Sequence, residues 1–522
     1  MKSKLFLLIF NIILLITNRL SAQELDNTFG NSGIVNTSIG MIYDECNSII
    51  QQSDGKIIAA GKTIIPNGID SSHFAMSVIR LNPNGSLDNS FGIDGKVILG
   101  VDSISEAQSV LVQNDGKIIL AGYAVAGDRY KFAVARLNAD GSTDYSFGTE
   151  GRVTTEIGNT AVAFAARIQP DGKIILAGKT WSGIQPEEKM ILAGHAQKSY
   201  DYNFAIARYT CNGVLDSTFG VDGIVNTFFE YDDEIYALGL QPDGKIVATG
   251  ITGFGYNYNF AIARYNSDGS LDSSFGTNGK VIEDLGTQFD IPKSILIQND
   301  GKIIISGNVY FGNNYFVLVR YKANGNKDET FGTNGISVSE IDYDGASSAS
   351  ILQNDGKILL AGTINWFTNN ANFCMQRFNN DGSIDNFFGN NGLMISELSS
   401  YSDFCNSAII QSDGKIILAG GSYSDGNIYN FALARYTNTY TEIIDNENNT
   451  FYNIYPNPAK DFIFISDIDE NTLIQIYNVN GKFLIETKNS NNQINISSLK
   501  SGIYFLKIQN SNGIVTKKFV KQ

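Results

Sequence analysis

The chain has 522 residues, 43% hydrophobic and 17% charged, so it has the apolar side chains for a large core and is not a disordered chain. Lys and Arg number 38 against 53 Asp and Glu, and the net charge of −15 excludes a nucleic-acid partner, because phosphate binding needs a basic surface. Two His and four scattered Cys exclude a His-rich zinc site, a four-Cys cluster and a framework of several disulfides.

Residues 1–22 read as a secretory leader. Lys2 and Lys4 open it, Leu5 to Ile16 form its apolar segment, and Ser21-Ala22 supply a small-residue exit. That apolar run is shorter than the roughly 20 residues a membrane span needs, and no later segment qualifies. The mature chain is expected to be exported and to have no transmembrane segment.

One unit is then written seven times. Gln-x-Asp-Gly-Lys-Ile begins at Gln52, Gln113, Gln169, Gln241, Gln298, Gln353 and Gln411, each with a Gly seven residues after its Asp. Asp-x-x-Phe-Gly-x-x-Gly begins at Asp26, Asp88, Asp144, Asp216, Asp272, Asp328 and Asp385. Between them lies an alternating segment such as FAIARY, with its Arg at 80, 136, 208, 264, 320, 377 and 435. The Asp-Gly pair predicts a tight hairpin, FAIARY a half-buried third strand, and the Phe-Gly turn leads into a fourth. Four short strands seven times over, with no helical stretch between them, predict an all-β fold: a seven-bladed β-propeller.

The phase of the repeat predicts how the ring closes. The chain starts on an isolated Phe-Gly turn and fourth strand, and the seventh unit ends at Arg435-Tyr436 without one. Residues 25–39 are therefore expected to complete the last blade and remove two exposed edges, placing Asp26 beside Arg435. The propeller would span 23–440. Closure also makes Cys46 and Cys405 neighbours, the one pair with a reason to form a disulfide, although unpaired thiols are the preferred reading.

The strings Gln-x-Asp-Gly-Lys-Ile-x-x-x-Gly and Arg-x-Asn-x-x-Gly-x-x-Asp-x-x-Phe-Gly-x-x-Gly resemble the delta-60 repeat of bacterial surface proteins. The resemblance covers about four-fifths of the chain and implies no particular chemistry.

A polar linker follows at 441–450, and residues 451–522 change character. Their alternation and Asn-Gly turn predict a small antiparallel, immunoglobulin-like β-sandwich. Tyr455-Pro-Asn-Pro458, Leu499-x-Ser-Gly-Ile-Tyr504 and the Lys-Lys-Phe-Val ending resemble the C-terminal sorting domain of the type IX secretion system of Bacteroidetes. This resemblance implies that residues 451–522 engage the type IX machinery and that the chain is secreted or held at the outer-membrane surface.

Several residues are candidate sites. Five of seven units carry acid where the innermost strand should begin: Asp44 and Glu45, Glu106, Asp233 and Glu234, Asp290, and Asp403. At one mouth of a central channel they would bind a cationic ligand or supply paired carboxylates for glycoside cleavage; a solvated rim is the plainer reading. Asn266, Asp268 and Asp272 have the oxygen-rich spacing of a calcium loop, against which an Asx-type turn is preferred, and no other cofactor is expected. The seven Arg and seven Asp are read as fasteners of the blades. The third unit has an insertion near Trp181 to Tyr200, where Trp181 would stack on a sugar. Lys189-Met-Ile-Leu-Ala-Gly194 within it echoes KIILAG, so a partial duplication competes with that reading. The favoured function is binding or adhesion, to polysaccharide or another surface protein. A carbohydrate hydrolase or lyase and a structural envelope role are the alternatives.

Overall fold

The computed structural model describes residues 24–437 and 454–522, apart from 41, 67–71, 182–201, 230, 256, 340–343, 367, 369, 425–427, 466–471, 479–482, 489–491 and 511–512. The leader, the linker and the insertion after Trp181 lie outside the described residues. The chain forms two compact units that part between residues 438 and 439. Every described element is a strand.

The first unit is a propeller of seven four-stranded antiparallel sheets. Blade 1 shows the pattern: an innermost strand Asp44–Gln51, then Ile57–Pro66, Ser72–Leu81 and an outer strand Lys96–Leu99. The hairpin between its first two strands turns at Asp54-Gly55-Lys56, where Gly55 has φ 85° and the Asp54 carboxylate accepts from the Lys56 amide at 3.1 Å. Apolar residues of facing sheets fill the space between blades, as when Ile58, Met76 and Val78 of blade 1 meet Val110, Leu120 and Ala133 of blade 2.

In the last blade, the strand Ile34–Thr37 pairs with Ile428–Tyr436, so the outer strand comes from the start of the chain. Asp26 Oδ2 lies 2.9 Å from Arg435 Nε. Cys46 and Cys405 are both buried and free. Each thiol instead donates to a carbonyl of its own strand, Ser48 at 3.6 Å and Ser407 at 3.7 Å.

The same latch recurs in every blade. Arg Nε reaches the Asp of the Phe-Gly turn at 2.7–2.9 Å, the Lys of the hairpin reaches that same Asp, and the guanidinium lies 4.4–4.7 Å above the buried Phe ring. In every blade but the sixth, the Arg Nη1 also donates to a carbonyl of the next blade, as Arg136 does to Cys211 at 2.5 Å and Arg435 does to Pro83 at 2.5 Å. Burial raises the Asp216 carboxyl, but the Thr218 hydroxyl and amide, with Arg208 and Lys173, outweigh it and hold the group at about 2.

The second unit has two sheets, one of Ile454–Tyr455, Phe462–Ile465 and Gln493–Asn495, the other of Leu473–Asn478, Phe483–Lys488, Gly502–Asn510 and Gly513–Lys521. Ile463 and Ile494 of one pack with Ile474, Leu506 and Phe519 of the other, as in a sandwich.

Candidate functional site

The innermost strand of each blade contains a bulge at the same place, and one residue bulges out: Asn47, Gln108, Phe164, Tyr236, Lys293, Ser348 and Asn406. All seven side chains are half-buried, as expected of a lining around the central channel. The ring they form is uneven. In blades 6, 7 and 1 the bulged side chain donates to a carbonyl of the next blade: Ser348 to Cys405 at 2.6 Å, Asn406 to Cys46 at 3.0 Å and Asn47 to Ala107 at 3.0 Å. In blades 3 to 5 it is aromatic or cationic: the Phe164 and Tyr236 rings are 5.6 Å apart, and Lys293 Nζ sits 4.4 Å from the Tyr236 centroid.

The acids at the head of these strands do not form one open rim. Asp44, Asp233, Asp290 and Asp403 are fully buried and turn back onto the loops that enter their blades. Asp44 accepts from the amides of Ile39 (2.7 Å) and Gly40 (3.0 Å) and from Thr63; Asp290 from Leu285 N (2.7 Å) and Thr287; Asp403 from Leu398 N (2.8 Å) and Ser399 N (3.1 Å). Asp233 accepts from Phe229 N at 2.7 Å. These carboxylates are loop anchors; their alternation with channel residues along the strand is what turns them away from the mouth.

The three Glu do face the channel, and each is matched by a cation. Lys62 Nζ bridges Glu45 at 3.1 Å and Glu106 at 3.2 Å, and Glu106 also takes the Tyr123 hydroxyl at 2.6 Å. Burial lowers the Lys62 ammonium, yet Glu106 and Glu45 together hold it above its ordinary value. Glu234 takes Lys179 at 2.6 Å and the Tyr236 hydroxyl at 2.9 Å. Trp181 ends the second strand of blade 3 half-buried, and its carbonyl accepts from Asn159 N at 2.7 Å.

Asp272 is committed to Arg264 at 2.8 Å and Lys245 at 3.2 Å, and two cations leave its carboxylate little attraction for a metal. Asp268 accepts from the Ser270 amide and hydroxyl at 2.9 and 2.6 Å, and Asn266 donates to Ser270 at 3.0 Å. The loop they form is also the docking point of the preceding blade: Gly220 N donates to the Asp268 carbonyl at 2.8 Å, and Arg208 reaches that of Ser267. No group of three or more metal-ligating side chains occurs among the described residues.

The buried Asp233 supplies a pH test. Burial outweighs the Phe229 amide and the Thr252 hydroxyl and raises its carboxyl to about 7. In the unfolded chain it would titrate near about 3.9. The folded state therefore keeps a proton that the unfolded state has lost, and this contribution to stability is full below about pH 4 and gone above about 7. Asp233→Asn should match the wild type at pH 4 and exceed it at pH 8 by on the order of 1–3 kcal/mol. Urea midpoints with an unchanged gap at both pH values would mean the carboxyl is ionised throughout.

Loops joining second to third strands, and those joining one blade to the next, emerge on one face of the ring. Among the described residues this face exposes Tyr231, Phe254, Tyr310, Phe311, Trp366 and Tyr401, none of which belongs to the repeated strings. Of the aromatic residues of this face, sequence reasoning named only Trp181. On the opposite side a cavity of about 780 Å³ is lined by the hairpins of blades 2 to 4, including Ile168, Gln169 and Gln241.

A family model described as a domain of unknown function (DUF5122) beta-propeller matches residues 52–91, 113–147, 185–219, 241–275, 298–331, 353–388 and 411–439. A second, described as a secretion system C-terminal sorting domain, matches residues 453–522. The chain is a DUF5122 propeller with a C-terminal sorting domain. The sorting domain marks this DUF5122 chain for export by the type IX secretion system, to the cell surface or the medium. The third match begins at residue 185, on the KMILAG echo rather than on the strand Ile174–Trp181, which supports a partial duplication as the origin of the insertion.

No curated protein matches the chain. Solved structures that resemble it include a protein of unknown function from Dyadobacter fermentans (10% identity, 77% of this chain and 99% of that one, TM-score 0.41). Virginiamycin B lyase of Staphylococcus aureus shares 12% identity over 77% of this chain and 98% of its own, with a TM-score of 0.43. PorZ, a surface component of the type IX secretion system of Porphyromonas gingivalis, shares 10% over 91% and 81%, with a TM-score of 0.22. Likenesses this remote carry no information about chemistry. No helix among the described residues is long and apolar enough to cross a membrane.

Proposed function

We propose that this exported propeller is a binding module for polysaccharide, and that its ligand face is the one from which the loops between second and third strands emerge. The observation that carries this reading is the aromatic content of that face. Phe254 is 60% exposed and Phe311 57%, with Tyr231, Tyr310, Trp366 and Tyr401 around the same ring. Exposed rings cost solvation free energy unless something covers them, and the flat apolar faces of sugars stack on such rings while their hydroxyls stay wet. The carboxylates favour the hydrolase or lyase alternative less, since Glu45 and Glu106 close on one Lys62 and the four Asp are anchors. The test is retention of the purified protein on a panel of insoluble polysaccharides, with released reducing ends measured in parallel. Retention without release is expected. Phe254→Ala and Phe311→Ala should each weaken it about 3- to 10-fold, and Trp181→Ala shows whether blade 3 takes part. Retention unchanged in the Phe254→Ala/Phe311→Ala double variant would move the site off this face, and release of reducing ends would replace binding by catalysis.

A further inference from the structure

The channel holds an imbalance that neither the fold nor the aromatic face explains. Its blade 1–2 side is closed: Lys62 is shared by Glu45 and Glu106, and Asn47 and Asn406 bond both those Glu and the adjoining backbone. Among the described residues, the blade 3–5 side carries Lys179 and Lys293 against one channel carboxylate, Glu234. Glu234 is already paired with Lys179 at 2.6 Å and with the Tyr236 hydroxyl.

Lys293 has no carboxylate within ion-pair distance among the described residues and rests on the Tyr236 ring. Glu234, whose charge reaches it, is held by Lys179, Asp233 and Asp290 serve the loop amides, and Asp232 accepts from Tyr202 N at 3.1 Å.

We propose that the blade 3–5 sector of the channel binds an acidic sugar, with Phe164 and Tyr236 as the apolar platform and Lys293 as the partner of its carboxylate or sulfate. The proposal rests on the polysaccharide reading above and names the class of saccharide. Burial outweighs the nearby charge of Glu234 and pushes the Lys293 ammonium below its ordinary value, so it is a partly dehydrated cation beside a carboxylate already paired with Lys179. An anion delivered there removes that penalty, which is the electrostatic condition for selective binding. The Phe164 and Tyr236 rings, 5.6 Å apart, present the surface on which a pyranose face would lie. The chain's net charge of −15 makes the sector selective for position, since acidic polymers are repelled elsewhere.

The experiment uses the full exported chain and its Lys293→Met variant, which keeps the apolar stem. Affinity is measured for polygalacturonate, chondroitin sulfate, dextran and polyglutamate. Wild-type protein should bind at least one acidic polysaccharide roughly tenfold or more above dextran, and the variant should lose about tenfold of that excess while dextran binding stays the same. Binding of polygalacturonate, which carries carboxylate alone, assigns the carboxylate; chondroitin sulfate carries both groups, so its binding without that of polygalacturonate assigns the sulfate. Equal affinity for dextran and the acidic polymers overturns the acidic site and leaves the binding module standing. Retention of the acidic preference in the variant, with circular dichroism showing intact sheets, also overturns it. Binding to polyglutamate but to no saccharide would overturn the sugar and point to acidic protein. No retention on any polysaccharide would remove both readings together.

Discussion

Asp26→Ala is expected to destabilise the propeller by about 3–5 kcal/mol, the range for removing one partner of a buried ion pair. Asp26 is 4% exposed, is ion-paired with Arg435 and Lys415 and accepts from the Thr28 hydroxyl, and Arg435 is equally buried. Alanine would leave Arg435 charged and unmatched above the Phe29 ring, 4.4 Å away. The segment carrying Asp26 is also the sole outer strand of blade 7, so its loss re-exposes the edge of Ile428–Tyr436. Both tryptophans, Trp181 and Trp366, lie in the propeller, so tryptophan fluorescence during urea unfolding reports on that unit alone. Asp140→Ala, which removes an exposed Asx turn, should cost under about 1 kcal/mol and is the control. An Asp26→Ala midpoint equal to that of the control would show that the seam does not depend on this pair.

A second large effect is expected at the repeated glycine of the second strand. Gly250 faces the bulge of the innermost strand, and a methyl group there would run into the Glu234 carbonyl oxygen and approach Ile235 Cα to 2.8 Å. Backbone cannot yield as a side-chain end can, so Gly250→Ala should cost about 3 kcal/mol or more. Gly244, in the adjacent hairpin, has φ 84° and open space where the methyl would go, and Gly244→Ala should cost only about 1 kcal/mol. Thermal unfolding of the two variants separates these reasons for glycine. Equal shifts would mean that the bulge tolerates a side chain.

This glycine shows what repetition reveals and what it hides. Seven copies of Gln-x-Asp-Gly-Lys and Phe-Gly announced hairpins, blade count and the seam, because turn chemistry is local and the seven copies reinforce one another. The reason for Gly250 was not legible, since it depends on an extra residue in the facing strand. The same bulge governs the candidate site. It puts its own residues on the channel, and strand alternation ahead of it decides that Glu45 and Glu106 face the channel while Asp44 and Asp403 anchor loops, a distinction that adjacent acids in a string do not show. Lys293 was invisible for the opposite reason. It occurs once, at a position where the other blades hold other residues, and only the closed ring brings it against Tyr236. Trp366 and Phe254 likewise stand in loops outside every repeated string.

The seam also has a mechanical meaning. Thr437 N donates to the Glu24 carbonyl at 3.0 Å, so the chain enters and leaves the propeller at one point. The sorting domain follows residue 438, and any pull on it is delivered to Ile428–Tyr436. That strand is not an edge: Ile416–Ser424 holds one side and Ile34–Thr37 the other. Peeling it away requires both ladders and the Arg435 latch to fail in the same event. A four-residue strand from the far end of the sequence thus acts as a clamp on the tether, and a ring loaded through its tail resists opening at the one place where its covalent chain is interrupted.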